Sequence, residues 1–349
     1  MRVIVVGATG NVGTSVVRAL EADPDVTSVV GVARRTPGWR GARAEWRQAD
    51  VVTADLVQIF EGADAVVHLG WLFQPTRDAT ITWRANVLGS MRVFRAVAEA
   101  GVPALVYASS VGAYSPGPDE PPVDESWPTH GWPGAAYGRE KAYVERVLDV
   151  FEHDNPDIRV VRMRPGFIFK RVAATEQRRL FGGPFVPRRL VRPGLIPVVP
   201  DIPGLRFQAL HADDAGEAYR LAVTRPVSGA FNLAAEPVLE PAELARLLGA
   251  RTVPVSAWMA RSAMAAGWHL RLLPAASGLL EMLLQLPLMD TRRAREVLGW
   301  APRHSAADAV LEMMEGLREG AGMDTAPLAP DSGPVGRLKE VASRAGGRP

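Results

Sequence analysis

The stretch "VIVVGATGNVGTSVV", residues 3–17, runs four β-branched residues straight into a glycine, and then repeats glycine at every third position, Gly7, Gly10 and Gly13, before helical spacing begins. A strand, a glycine turn and a helix follow one another without a linker. In that setting each glycine has a mechanical reason, namely a tight turn, close backbone approach to a pyrophosphate, and close packing of helix on strand. Asn11, Val12 and Gly13 open the helix, whose amides and dipole suit a negative phosphate. A dinucleotide is the ligand this stretch predicts.

Working outward, strand-like runs, most of them containing β-branched residues, at "VTSVVGVA", "AEWRQ", "DAVVHL", "PALVYAS" and "IRVVRMRP" alternate with helical patterns such as "NVLGSMRVFRAVAEAG" and "YGREKAYVERVLDVFE". This alternation predicts an α/β fold, an open doubly wound parallel sheet with helices on both faces. The ligand crevice then lies at the carboxyl ends of the strands. From about residue 166 prolines and glycines break the pattern, and "FGGPFVPRRLVRPGLIPVVPDIPG" reads as irregular loop. "HADDAGEAYRLAV" restarts a helix, with Asp213 or Asp214 as its expected N-cap, and "GAFNLA" reads as one more strand. The expected organisation is a dinucleotide-binding domain at 1–165, completed by about 206–235. A smaller, mainly helical lobe is expected from 166–205 and 236–318, and a flexible tail at 319–349.

Composition removes whole classes. Lys+Arg 40 against Asp+Glu 38, without a basic run, argues against nucleic acid as a partner. The absence of cysteine removes disulfides, thiolate metal sites and thiol catalysis, and no metal site is expected. The apolar N-terminal run meets glycine too soon for a signal-peptide core, so the cytoplasm is the expected address. Apolar helices at 256–289 carry Trp258, Met259, Met264, Trp268 and Leu272, but Arg261, His269 and Arg271 interrupt them. They read as core, lid or membrane-surface contact, not as a span. Nothing in the composition decides whether subunits pair; a homodimer is compatible with it.

The end of the second strand selects between dinucleotides. An acid there holds a free ribose 2′-hydroxyl, whereas arginine suits a 2′-phosphate. The chain offers Ala33, Arg34 and Arg35. NADP is expected, with NAD as the alternative, since two solvated arginines in an arginine-rich chain would look the same. Asp50, followed by Val51, is placed to reach the adenine amino group or simply to make a turn. Leu69, Gly70 and Pro165, at later strand ends, complete the expected cofactor set. Ser109 and Ser110 stand where the fifth strand runs into the crevice. Tyr137 and Lys141 lie one helical turn apart, and Lys141 is one of three lysines, with Lys170 and Lys339. A surface pair would have the same spacing.

Taken in order, "GATGNVG", "YASSVGAY", "YGREK", "RPG" and "HADDAGEA" resemble the extended short-chain dehydrogenase/reductase family of the epimerase/dehydratase type, over roughly residues 1–318. The resemblance implies a Rossmann-like fold, with Tyr137 as acid/base and Lys141 holding the nicotinamide ribose and lowering the tyrosine pKa. It implies Ser110, rather than Ser109, as the residue that binds the substrate oxygen. Two departures narrow the expected substrate. The Asp-Glu pair of the family's dehydratases is replaced by Val111 and Gly112, which disfavours loss of water. Phe167 stands where nucleotide-sugar enzymes carry asparagine, and Phe207 where they carry a phosphate-binding arginine, although Arg206 is adjacent. Phe181, Phe185, Leu195, Trp258 and Met259 are candidates for an apolar wall or for ordinary core. The expected activity is hydride transfer between NADP(H) and a moderately apolar ketone or secondary alcohol. The alternatives are an epimerase with a retained cofactor and a non-catalytic NADP-binding regulator.

Overall fold

The structure is a computed structural model. It describes residues 1–330 apart from 75–76, 119 and 184–190. Strands β1 (Arg2–Val6), β2 (Ser28–Ala33), β3 (Glu45–Gln48), β4 (Ala65–His68), β5 (Ala104–Ala108) and β6 (Arg159–Pro165) are separated by helices α1 (Asn11–Ala22), α2 (Leu56–Phe60), α3 (Ala79–Trp83), α4 (Gly89–Glu99) and α5 (Ala136–Asp154). Beyond them come β7 (Phe167–Phe169), α6 (Ala174–Gln177), β8 (Val198–Asp201), β9 (Phe207–His211), α7 (Ala212–Thr224), β10 (Gly229–Leu233) and β11 (Ala235–Leu239). The described chain then runs through α8 (Pro241–Leu248), β12 (Arg251–Pro254), α9 (Ala257–His269), α10 (Ser277–Leu283), α11 (Arg292–Glu296) and α12 (Ala306–Glu319).

Seven strands pair in parallel in the order β10-β6-β5-β4-β1-β2-β3. The order reverses between β1 and β4, the switch point at which open α/β sheets bind their ligands. The fold is Rossmann-like. β1 shows why a doubly covered strand is apolar throughout: Val3 and Val5 enter the core under α1 and α7, while Ile4 and Val6 enter the one under α2, α4 and α5. Gly216 lets α7 lie directly on α1, since a Cβ there would sit 2.7 Å from the Ser15 carbonyl oxygen.

Three expectations are corrected. The N-cap of α7 is His211, whose ring nitrogen accepts from the Asp213 amide, and Asp213 and Asp214 fall in the first turn instead. The 166–205 stretch is not wholly irregular, because β7 joins β9 in a small sheet with β11, and β8 pairs with β12. The tail is docked over its first part: Leu328 is fully buried, the Trp39 amide donates to the Asp324 carbonyl, and the Thr325 hydroxyl donates to the Thr9 carbonyl. A buried leucine and shared backbone bonds outweigh the small, polar composition that suggested mobility. Phe185 lies outside the described residues.

Candidate active site

The glycine turn is built as its spacing predicts. Gly7 has φ 84, and a Cβ on it would lie 2.7 Å from the Gly70 amide nitrogen, so β1 and the end of β4 meet backbone to backbone. At Gly13 a Cβ would lie 2.3 Å from the Gly7 carbonyl oxygen, which is the helix-on-strand contact. Gly10 differs. Its nearest neighbour would be 3.7 Å away, an ordinary contact, so the protein itself has no need of glycine there, whereas a phosphate lying against the turn would. No side chain caps α1 and no acid stands in its first turn, which leaves its positive end for an anion. The residues present fit a dinucleotide.

The other expected cofactor residues gather at the same edge. The Gly7 amide donates to the Val32 carbonyl at 2.9 Å, bringing the end of β2 alongside, and Arg34 and Arg35 follow on the exposed surface. Leu69 donates to the Val6 carbonyl at 2.8 Å, and Pro165 ends β6. Asp50 accepts from the Val52 amide at 3.0 Å, so one carboxylate oxygen makes the turn, and the Val51 carbonyl is held by Arg92 at 3.0 Å.

One residue at this edge was missed. Lys170, buried, donates to the Asn11 carbonyl at 2.5 Å and to the Thr14 and Ser15 hydroxyls at 2.6 and 3.0 Å, tying β7 to the first turn of α1. Burial pushes its ammonium down to about 8, opposed by Asp213. Its rarity as a lysine was the available signal.

At the substrate end, Ser110 caps the short turn Val111–Ala113, its Oγ accepting from the Gly112 amide at 3.0 Å. The Tyr137 ring lies against Gly112, where a Cβ would come within 2.7 Å of it. Gly112 therefore makes room for the phenol. Ser109 is spoken for: its hydroxyl donates to buried Glu145 at 2.5 Å. Burial pushes Glu145 up, but Arg164, Arg162 and Ser109 more than offset this and hold the carboxyl at about 2. Of the two serines, Ser110 is the one facing the phenol.

Lys141 is 3% exposed, donates to the Ala108 carbonyl at 2.6 Å, and rests its ammonium 3.5 Å from the centre of the Trp71 ring. Burial pushes its pKa well down, against the pull of Glu145 and Glu140. Burial likewise pushes the Tyr137 phenol up to about 12, opposed by the hydrogen bond with Ser110. The ammonium is 5.9 Å from the phenol ring centre, and desolvation dominates both groups.

With these elements in place the chain can be compared with known proteins. The NAD dependent epimerase/dehydratase family matches residues 3–234. The chain belongs to that family. Among curated relatives it is 31% identical over 163 residues to a putative dihydroflavonol 4-reductase of Synechocystis sp., covering 45% of this chain and 47% of the relative. It is also 31% identical over 222 residues to a 2′-dehydrokanamycin reductase of Streptomyces kanamyceticus, covering 62% and 56%. The chain spans about half the length of these two curated relatives. Among solved structures, a UDP-glucose 4-epimerase from Stenotrophomonas maltophila with bound NAD superposes with a TM-score of 0.69 at 21% identity, covering 91% of this chain and 98% of that one. MoeE5 with UDP-glucuronic acid and NAD gives 0.67 at 21%, covering 91% and 99%. At that identity the likeness concerns the fold.

Against this epimerase/dehydratase background the substrate side is aromatic. Phe73 stacks on Tyr137 at 4.6 Å and 13°, Trp71 meets Tyr137 edge-on at 5.8 Å, and Phe181 meets Phe73 edge-on at 5.4 Å. Phe167 packs in the same apolar cluster as Tyr137 and pairs with Phe207 at 5.2 Å. Arg206 reaches the Pro118 carbonyl at 3.2 Å. Of the expected wall, the structure brings Phe181 into this group. Trp258 and Met259 are 68% and 56% exposed on α9, a helix that buries no residue, and Leu195 is also exposed. No helix of the described residues is long and apolar enough to cross a membrane, and among them no three His, Asp or Glu cluster to hold a metal.

Proposed function

We propose that the protein is an NADP(H)-dependent ketone reductase or secondary alcohol dehydrogenase acting on a small, moderately apolar compound in the cytoplasm. The observation that carries this reading is a Ser110, Tyr137 and Lys141 set at the crevice with phenylalanines around it. A bound nicotinamide supplies or accepts the hydride. Tyr137, its phenol held at about 12, keeps its proton at neutral pH and is the acid for a carbonyl oxygen. Ser110 accepts from Gly112, which leaves its own O–H for the substrate oxygen or the phenolate. Lys141 spends one N–H on Ala108, and we assign the others to ribose hydroxyls. Gly7, Gly10, Asn11, Val12, Gly13, Leu69, Gly70 and Pro165 would hold the dinucleotide, Asp50 and Val51 its adenine, and Arg34 and Arg35 a 2′-phosphate.

The test is loss of reduced-cofactor absorbance with NADPH and a panel of ketones, run beside UDP-glucose. We expect ketone turnover and negligible affinity for the nucleotide sugar; turnover of UDP-glucose alone would replace this reading. For the cofactor, NADP(H) should bind more tightly than NAD(H), and Arg34→Ala with Arg35→Ala should erase about tenfold of that preference. Equal dissociation constants in the unmodified protein would remove NADP from the proposal. The second reading, an epimerase with a retained cofactor, is favoured by the 29% identity over 170 residues to a UDP-glucose 4-epimerase of Mycolicibacterium smegmatis. It would use the same three side chains, but Phe167 and Phe207 give it no polar anchor for a diphosphate.

A further inference from the structure

We infer that the substrate is an aryl carbonyl compound, one whose carbonyl carries an aromatic ring, and that Phe73 is the residue that selects it. This rests on the ketone-reductase reading above. Ten phenylalanines serve the whole chain, and Phe60, Phe94, Phe151 and Phe231 are spent on its cores. Phe73 and Phe181 belong to none of the buried clusters, and Phe181 is 37% exposed. Their rings meet each other and Tyr137 instead, parallel at 13° for Phe73 on Tyr137 and near-perpendicular at 76° for Phe181 on Phe73. Such alternation presents ring faces and edges to whatever reaches the phenol. An aliphatic wall would suffice to exclude water. Ring faces and edges add a preference for flat π systems.

The position of Phe73 is held on both sides. The Asn86 side chain grips the backbone of Leu72, accepting from its amide at 2.7 Å and donating to its carbonyl at 2.9 Å. Asn86 also donates to Glu140 at 2.6 Å, and Thr82 donates to the other Glu140 oxygen at 2.6 Å. A buried carboxylate is costly, and Glu140, next to Lys141 in sequence, spends its two bonds on this support. On the other side Gln74 donates to the Leu180 carbonyl at 2.8 Å and to the Pro274 carbonyl at 3.3 Å, linking the segment to the turn that carries Phe181. Asn86, Glu140 and Gln74 are positioning residues. The ring they fix is the one stacked on the Tyr137 phenol, next to any ring that a carbonyl held by that phenol would carry.

Calorimetry on the NADP-loaded protein compares acetophenone with cyclohexyl methyl ketone, which are close in size but differ in having a π face. The unmodified protein should bind acetophenone about tenfold more tightly, and Phe73→Leu should abolish the difference while leaving the cyclohexyl ketone within about twofold. Phe181→Leu, at a partly exposed position that puts folding at little risk, should erode the preference about threefold. Equal binding of the two ketones, parallel losses in Phe73→Leu, or binding of neither by protein that takes up NADP would overturn the inference. Turnover settles the parent reading separately. Alkyl ketones reduced as well as aryl ones would leave the reductase and remove the aryl selectivity. Acetophenone bound selectively, with no ketone or alcohol turned over, would leave the selectivity and remove the reductase.

Discussion

The two ends of the crevice are made of different material. The dinucleotide end is backbone: glycines that meet carbonyls and amides, a helix terminus, and strand ends in register. The substrate end is side chain, assembled from residues 71–73, 137, 167, 181 and 207, which only the folded topology brings together. Backbone cradles bind what all dinucleotides share. Side-chain walls vary without disturbing the frame, so the first end states the family and the second is where we place substrate choice.

The sharpest way to separate the two ends is Tyr137→Phe. Turnover should fall about a hundredfold to ten-thousandfold, the usual contribution of a general acid, while cofactor affinity and melting temperature stay near their original values. If cofactor affinity collapsed as well, the phenol would belong to the dinucleotide end and the division would be misplaced.

His68 lies beneath the joint between the ends, next to Gly70. Its Nε2 pairs with the Ser90 hydroxyl at 2.9 Å, and that hydroxyl donates to the Asn86 carbonyl, so Nε2 carries the proton and Nδ1 is left buried without a partner among the described residues. Burial, with Lys141 adding to it, pushes the imidazole down to about 3, from an unfolded value near 6.5. The sign follows directly: the neutral form belongs to the folded state, so stability is complete above pH 6.5 and is lost as pH falls toward 3. Between pH 6.5 and 4.5 we expect the unmodified protein to lose about 2 to 3 kcal/mol relative to His68→Gln in urea unfolding, while Glu176, pushed up to about 7 by burial, adds stability over the same window in both proteins. Glu145, with its pKa at about 2, contributes its own loss only below the ordinary carboxylate range. Coincident profiles for the two proteins would show that the joint tolerates a charge.

Lys141→Arg probes a buried cation that we assign to the place where the two ends meet. The ammonium is enclosed by the Ala108 carbonyl and the Trp71 face, and a guanidinium has a different shape and reach. Overpacking should cost about 1–3 kcal/mol in urea unfolding, and a cation of altered shape and reach should lower turnover roughly tenfold to hundredfold with weaker cofactor binding. Near-normal turnover with an unshifted pH profile would make Lys141 a structural lysine.

What could be read from the chain divides along the same line. Gly7, Gly10 and Gly13 act over seven residues, and their spacing carries their geometry. Strands β1, β2, β4 and β6 announced themselves by β-branched runs for the same local reason, whereas β3 (EWRQ) and β10 (GAFNL) carry no β-branched residue. Phe73 and Trp71 sit in a connection without periodicity, and their meeting with Tyr137 is set by side-chain bonds such as Asn86 to Leu72, which no local pattern encodes. The His211 cap eluded the reading because an imidazole did the work expected of an aspartate. Lys170 was legible by rarity, as Lys141 was, yet its partners on α1 lie more than 150 residues away.

The smallest expected effect tests whether the dinucleotide end is closed by the docked C-terminal segment. The Thr325 hydroxyl donates to the Thr9 carbonyl at 2.9 Å and accepts from the Leu328 amide at 3.3 Å, in a buried position beside the glycine turn. Thr325→Val keeps the shape and removes both bonds. It should cost about 1 kcal/mol in urea unfolding, and the freed Thr9 carbonyl should loosen the turn enough to raise the NADP dissociation constant about twofold to threefold. Ketone affinity in the NADP-saturated protein should not change, because the two bonds removed, Thr325 to Thr9 and to Leu328, involve none of the aromatic wall residues. A loss of stability without any change in cofactor affinity would make the segment a clamp on the fold alone. Loss of ketone affinity as well would show that the two ends of the crevice are coupled through the glycine turn, and would end the comparison as drawn.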